Sequence, residues 1–579
     1  ELMAEAPVND RVNLLYESKV GDKVESIELP FRLMVLADLS CDERSEYFNE
    51  QTPVRLDNAN IGILFQQIKP HLDLKVKDYL SESDDDLLIQ MDLRSVDDFS
   101  PQQIIKQLPA LQALLDFSDS LARASSNQTD LATGDDIDLI QTVLKTESVT
   151  LEEIRNNGES FGWLISSIEE RICHQIDAIV HHPDFKKLEA TWRAIQFLID
   201  RTDFTENCEL CFLNISKQGL VEDFEDVPEV FQSSLYKHIY SDEFGQFGGR
   251  PYGAMVGNYD FGPAAPDIKL LQRIASIAAV SHAPFVAAAS PEFFDIDSFS
   301  KFSKLRDLAS IFGQPRYAKW ASFRESEDAR YIGLTIPGFL LRPTWDVPIG
   351  SLQYQEKIGK GGHDQLWGNS GFAFATRLLD SFAKYRWCLN STGNPSGLVE
   401  GLKIEATGEN IRHGKIPTQF ILTDRRETEV IEQGFIPLSV HKGDDTAAFY
   451  SAYSTQAIGK VGEDDNDLSI RLAAQIPYLL IVGRISQYLK IMQRENIGAW
   501  TNRREIDQNL NDWLRQYVSD MDNPAAGVRA RRPLRKADIK VREVEGKSDW
   551  YVTRIQITPH LKYMGSSFSL SESARLDKN

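Results

Sequence analysis

The sequence predicts a mixed α/β (α+β) protein of several domains, and three observations carry that expectation. The chain has 579 residues, whereas single hydrophobic cores stop growing at roughly 250 to 300 residues. Short apolar runs with strand character alternate with stretches whose apolar residues recur every three or four positions, as in helices packed on a sheet. A polar, turn-rich segment, SSNQTDLATGDD at 125–136, separates two parts of the chain.

The elements follow in order. Val24 to Asp38, VESIELPFRLMVLAD, reads as one strand-like run and Leu87 to Leu93 as another. Ser100 is placed to cap a helix with Pro101 in its first turn. This small α/β unit ends near Ala124. Beyond the linker, Ile168, Ile172, Ile176 and Ile179 form one helical stripe. After Pro183 a second stripe runs through Phe185, Leu188, Trp192, Ile195 and Ile199. From about Glu209 strands and helices mix: LCFLNIS, a glycine-rich turn region at 243–261, and a small-residue helix over 269–281. Further helices are expected over Ser370 to Cys388, with Asp380 and Lys384 paired at i,i+4, over Leu472 to Arg494, and over Arg503 to Val518. Two strands at 538–545 and 549–557, joined at Gly546, read as a terminal hairpin.

Composition narrows the function. The formal charge is −23, which opposes a polyanion such as nucleic acid and favours a basic partner. Five cysteines, sparse and odd in number, point to a reducing cytosol rather than a disulfide framework. Cys208 and Cys211 form a lone C-x-x-C in a strand-like context with no second pair at zinc-ribbon spacing, so buried structural cysteines are expected. No uninterrupted apolar run reaches the eighteen or so residues of a membrane helix, and direct membrane insertion is not expected.

Motifs that would carry chemistry are weak. Cys173, His174, His181 and His182 suggest a metal site, but His174 and His181 stand two helical turns apart and Pro183 starts a new element, so structural or surface roles are expected. GKGG at 359–362 lacks the spacing of a phosphate loop. GEDDND lacks the glycine and terminal glutamate of a calcium loop. No catalytic, cofactor or metal residues are assigned. One cluster stands out: Arg324, Glu325, Glu327, Asp328 and Arg330 lie within seven positions and precede the apolar run Tyr331 to Leu341. Carboxylates beside arginines suit an acid/base centre or an ion-pair network. With no His or Cys inside the motif, and so no histidine base beside its one serine, a structural ion-pair cluster is expected, followed by a buried strand.

Two sets of phrases resemble one family. IELPFRLMVLADLS and LRSVDDFSPQQIIKQLPALQALL are similar to the small subunit (TssB/VipA-like) of the type VI secretion system contractile sheath. HHPDFKKLEATWRAIQFLI, YAKWASFRESEDARYIGLTIPGFLLR, LWGNSGFAFATRLLDSFAKYRWC, LNDWLRQYV and the stretch Lys536 to Ser569 resemble the large one (TssC/VipB-like). The two subunits are usually separate polypeptides, so the resemblance implies a fused sheath protein, or two segments joined in one chain, with the joint at 125–136.

The resemblance implies a non-enzymatic, bacterial cytoplasmic protomer that stacks with copies of itself in a helical tube around an Hcp-like inner tube, mounted on a baseplate. Contraction drives the inner tube and its spike into a target cell. A sheath of another contractile injection system, phage tail-like or extracellular, is the neighbouring alternative. A cytosolic hydrolase or transferase built on Arg324 to Arg330 is the alternative of another class. The implied division is 1–23, an N-terminal strand extension; 24–124, the small-subunit unit; 125–183, linker and helical region; 184–345, a large-subunit α/β domain; and 346–579, a C-terminal domain facing the inner tube and ending in the hairpin.

Family protomers are tied by donated strands. The candidates here are Val12, Leu14 and Tyr16 at one end and Ile539, Val541, Val552, Ile555 and Ile557 at the other; pairing within the same chain is the alternative. Glu505, Asp507 and Asp512 mark the helix proposed to face the inner tube, or an ordinary surface helix. Asp135 to Lys145 matches the helix that a ClpV-type AAA+ ATPase grips, with a shorter stretch between it and Ile168 than in the family.

Overall fold

The computed structural model describes residues 14–20, 23–41, 51–80, 86–126, 162–246, 248–359, 364–404, 416–440, 445–458, 471, 473–495, 503–519, 521, 528, 532–543, 551–560 and 570–575. The N-terminal part contributes β1 (Tyr16–Val20), β2 (Lys23–Ile27), β3 (Phe31–Ala37), β4 (Val54–Leu56), β5 (His71–Lys77), β6 (Asp86–Asp92), α1 (Pro101–Gln107) and α2 (Pro109–Ser126). The expected run from Val24 to Asp38 is therefore two strands. Pro30, without an N–H for a ladder, stands between them.

The next part contributes α3 (Gly162–Val180), α4 (Pro183–Asp200), β7 (Cys208–Asn214), β8 (Tyr252–Phe261), α5 (Ala265–Ser281), β9 (Phe285–Ala289), β10 (Ile332–Ile336) and β11 (Phe339–Arg342). The run Tyr331 to Leu341 is thus broken at Pro337 and Gly338, and its halves enter different sheets. Then come α6 (Ser370–Tyr385), β12 (Ile436–Pro437), α7 (Ile476–Glu495), α8 (Arg503–Arg515), β13 (Leu534–Glu543), β14 (Tyr551–Pro559) and β15 (Leu570–Arg575).

One sheet of seven strands organises the molecule, in the order β12-β10-β9-β8-β3-β7-β4. All pairings are parallel except that of the short edge strand β4. A parallel strand buried on both faces reads as a continuous apolar run, and β3, FRLMVLA, is buried at every position. Phe31, Leu33, Val35 and Ala37 point into one apolar layer with Trp192 of α4 and Phe382 of α6. Met34 and Leu36 point into the other with Leu271 of α5, Phe285 and Trp320. The same alternation separates Cys208 from Cys211: both are buried, one in each layer. At the close approach of β3 and β8, a Cβ on Gly253 would stand 2.4 Å from the Phe31 ring, which explains a glycine inside a strand.

This topology corrects the expected division. The 24–124 unit is not a separate body, because its strand β3 lies between β7 and β8 of the following segment, with Leu33 opposite Leu210 on one side and Ala254 on the other. The boundary at 345/346 is crossed too, since β12 pairs with β10. Arg32 reinforces the join. The register sets it opposite Glu209, and its guanidinium lies 3.4 Å from Glu209 and 2.7 Å from Glu243, over the Tyr252 ring at 4.3 Å. Burial lowers the guanidinium's pKa, but the neighbouring Cys211, Tyr252 and Glu243 outweigh it and keep the group charged.

A third apolar cluster lies at the other end of the molecule. There α7, buried almost all round, packs with α8 and the terminal sheet β13-β14-β15. The expected hairpin is present in register, with Ile539 opposite Ile555, and β15 adds a third strand that the sequence reading did not contain.

Because β3 has both neighbours in the other segment, cutting the chain within 127–161 tests the fold. Residues 1–126 and 162–579 expressed alone are expected to aggregate or to melt without a cooperative transition. Expressed together they are expected to copurify and give one transition by calorimetry.

Candidate assembly surfaces

The N-terminal segment is held by aromatic side chains of the last two helices. Leu14 and Tyr16 are buried, and Val12 lies outside the described residues. Tyr488 Oη donates to the Leu14 carbonyl at 2.8 Å and accepts from the Leu29 N–H at 2.8 Å. Trp513 Nε1 donates to the Leu15 carbonyl at 2.7 Å, and the Leu15 N–H donates to Tyr517 Oη at 3.1 Å. The three rings pack together, Tyr488 on Trp513 at 5.9 Å and Trp513 on Tyr517 at 5.3 Å. Burial pushes the Tyr488 phenol above its ordinary range, so it stays a neutral donor. Glu28, just beyond the segment, lies 3.3 Å from Arg386. Within the chain, β1 pairs antiparallel with β2, Tyr16 opposite Ile27.

At the other end, Ile539, Val541, Ile555 and Ile557 are each 1% exposed. Their side chains pack in the chain's own core, and β13 and β14 pair with each other in the same chain. Val552 sits in β14 between Arg542 and Arg575. The helix α8 closes the outer edge of β13. Asn511 donates to the Ile539 carbonyl at 2.8 Å and accepts from its N–H at 2.9 Å, and Asp507 accepts from the Val541 N–H at 3.0 Å. Side chains on α8 thereby take the place of a strand. Among the described residues no strand borders the far side of β15.

Of the three acids expected to face an inner tube, Asp507 is half-buried and engaged with the Val541 N–H. Glu505 and Asp512, seven residues apart on α8, are the exposed acids, and Asp512 is 3.3 Å from Arg515. The helix Asp135 to Lys145 lies outside the described residues.

The expected ion-pair cluster is corrected. Among the described residues no ion pair joins Arg324, Glu325, Glu327, Asp328 and Arg330. Arg324 instead donates to the carbonyls of Thr455, at 3.0 Å, and Glu432, at 2.7 Å. Burial without a facing carboxylate lowers its pKa to about 10. Asp328 accepts from the Ser276 hydroxyl at 3.2 Å, and Arg330 lies over the Tyr331 ring at 5.3 Å. Arg324 thus fastens its helix end to the 432–457 region, its own carbonyl also accepting from the Ala457 N–H at 2.8 Å.

The buried ion network is elsewhere. Arg342, at the end of β11, lies 2.7 Å from Glu189 of α4 and 2.7 Å from Glu356. His181 reaches Glu356 at 3.2 Å, and Tyr354 donates to Asp177 of α3 at 2.7 Å. Despite burial, the hydrogen bonds and charges of His181 and Arg342 hold the Glu356 carboxyl at about 2. His182 caps α4 by accepting from the Asp184 N–H at 3.3 Å. Of the histidines that suggested a metal, His181 serves the ion network and His182 a helix cap, while His174 stacks on Tyr79 at 5.8 Å. A sequence signal for the network existed: Glu189 occupies the apolar face of α4, four residues after Phe185 and three before Trp192, where an unpaired carboxylate would be costly.

These surfaces belong to a chain that matches known families along most of its length. The type VI secretion system VipA family matches residues 4–156. The VipB tail sheath N-terminal domain matches residues 163–456, and the VipB tail sheath gpW/gp25-like domain matches residues 465–576. The chain belongs to the type VI secretion contractile sheath family. It is a structural subunit of that sheath with the VipA and VipB parts in one polypeptide. The type VI secretion system sheath protein TssC1 of Pseudomonas aeruginosa is 37% identical over 423 residues, covering 71% of this chain and 85% of the relative. A solved structure of the anti-feeding prophage baseplate aligns over 67% of this chain and 77% of its own at 9% identity, with a TM-score of 0.30, too low to carry an argument. In the sheath subunit, then, the VipA part supplies β3 and the VipB part its neighbours.

The Arg342 network predicts a pH dependence. A carboxyl at about 2 in the fold, against an ordinary value of about 4.5, contributes stability that is fully present above about 4.5. That contribution is lost as pH falls through about 2, and amounts to on the order of 3 kcal/mol. Urea midpoints measured from neutral pH down to acid should fall for the native chain. Glu356→Gln should start lower and fall less steeply; parallel curves for the two proteins would contradict the assignment.

Proposed function

We propose that this subunit assembles with copies of itself into a helical tube around an Hcp-like inner tube in the bacterial cytoplasm. From a baseplate it contracts to drive the inner tube and spike into a target cell, without catalysis of its own. The observation that carries this reading is the fusion of both sheath parts into one sheet, with strand elements at both ends of the chain. A rigid body flanked by strand elements suits a lattice whose units rotate while remaining tied.

The ties we propose are backbone edges. A strand that adds to an open edge in another copy gains ladder hydrogen bonds whatever its side chains do, and head-to-tail addition builds filaments rather than closed rings. The residues of β1 on one side and the outer edge of β15 on the other are the available pair. Burial of Ile539, Val541, Ile555 and Ile557 supports an edge contact over a side-chain contact. Glu505 and Asp512 remain candidates to face the inner tube, and a ClpV-type ATPase acting on Asp135 to Lys145 remains a candidate for recycling. Ser326, the one hydroxyl within 324–330, donates to the Phe323 carbonyl at 2.7 Å, and this together with the use of Arg324 on carbonyls favours a mechanical role over a hydrolase.

Electron microscopy of the purified chain tests this directly: tubes are expected, and monomers under every condition together with turnover lost in Glu325→Ala would overturn it. An insertion of a few residues between Val20 and Lys23 lengthens the connection of β1 without touching Leu14 or Tyr16. It is expected to leave the melting temperature unchanged and to alter the shortening of the tubes. Normal shortening would remove β1 from the tie.

A further inference from the structure

The terminal sheet has two faces of opposite character. Ile539 and Val541 of β13, with Ile555 and Ile557 of β14, pack inward on α7 and α8. Lys536, Asp538, Lys540 and Arg542, with Arg554 and Gln556, are exposed on the other face, which therefore carries four cations against one carboxylate. The register sets Lys540 directly opposite Arg554. Like charges in that relation weaken a sheet, so folding alone does not call for them. Asp538 reaches Lys540 at only 3.5 Å, with both side chains in solvent, where such pairs contribute little. The same face walls a concavity of about 500 Å³ that Arg515 and Arg535 also line.

Charge along the chain supplies the complement. Residues 503–579 hold fifteen Lys and Arg against eleven Asp and Glu, whereas residues 1–502 hold 48 against 75. A basic module is thus attached to a strongly acidic body. Copies of so acidic a chain repel one another unless a cationic surface of one meets an acidic surface of the next. Nucleic acid is the poorer occupant, because the body on the same chain repels a polyanion.

We propose that the Lys536, Lys540, Arg542 and Arg554 face of the terminal sheet is a docking surface for the acidic body of a second copy of the chain. This rests on the sheath reading but uses the face of the sheet, where strand addition uses its edge. The contact steers and orients neighbouring copies and weakens as salt is raised.

The test compares the full-length chain with the double variant Lys540→Gln/Arg554→Gln and the charge-preserving Lys540→Arg/Arg554→Lys, by sedimentation across a salt series and by electron microscopy. The neutral variant should melt at the native temperature or above it, since cross-strand repulsion is relieved. Its sedimenting assemblies should fall about tenfold or more at low salt, while the charge-preserving variant assembles normally. If the native chain forms tubes and the neutral variant matches it at every salt concentration, the docking surface is refuted and the sheath reading stands. A neutral variant that forms tubes normally but no longer retains an inner tube would assign the face to that partner instead and overturn the second-copy docking. A native chain that never assembles would overturn the sheath reading, and this inference with it.

Discussion

The fold depends on strand β3 having neighbours on both sides. Every residue of FRLMVLA is buried, so the strand cannot face water on either face or leave either edge unpaired without exposing apolar and backbone groups together. Both neighbours come from the VipB part. Arg32 sharpens the constraint, because a guanidinium at the centre of the sheet is tolerated only beside Glu209 and Glu243. The two family segments are therefore one mechanical body, and a lattice made of this chain must place its movable joints outside the seven-stranded sheet.

The structure puts charge to three different uses. Arg32 and Arg342 are buried with carboxylates from distant parts of the chain, and such pairs decide which elements meet more than they add net stability. Arg324 shows the second use: its guanidinium serves carbonyl oxygens where the chain turns. The third is the exposed cationic face of the terminal sheet, which brings no evident benefit within its own chain. Local sequence density of charge does not tell these uses apart. The cluster at 324–330 is dense and unpaired within itself, while Arg342, Glu189 and Glu356 are isolated in sequence and joined in space.

Helices were the most legible part of the sequence. The stripes through Ile168 to Ile179 and Phe185 to Ile199 became α3 and α4, because a 3.6-residue period needs only one buried face and is local. The apolar strands were legible as strands but not in their partners: VESIELPFRLMVLAD gives no sign that it crosses into another family's sheet. The break at Pro337 and Gly338 was hidden inside an apolar run that looked like one strand. The strand β15, LSESAR, has little apolar character and was missed because its assignment depends on pairing with β14. Family resemblance supplied the function, and the structure then placed the terminal isoleucines in the chain's own core and Asp507 on the edge of β13.

A reconstruction of the assembled tube at side-chain resolution shows which copy supplies each strand. β3 is expected between β7 and β8 of its own chain, with Arg32 on Glu209 and Glu243, and only the terminal edges of the chain are expected to be extended by neighbours. A tube in which β3 is supplied by a different copy from β7 and β8 would contradict this arrangement.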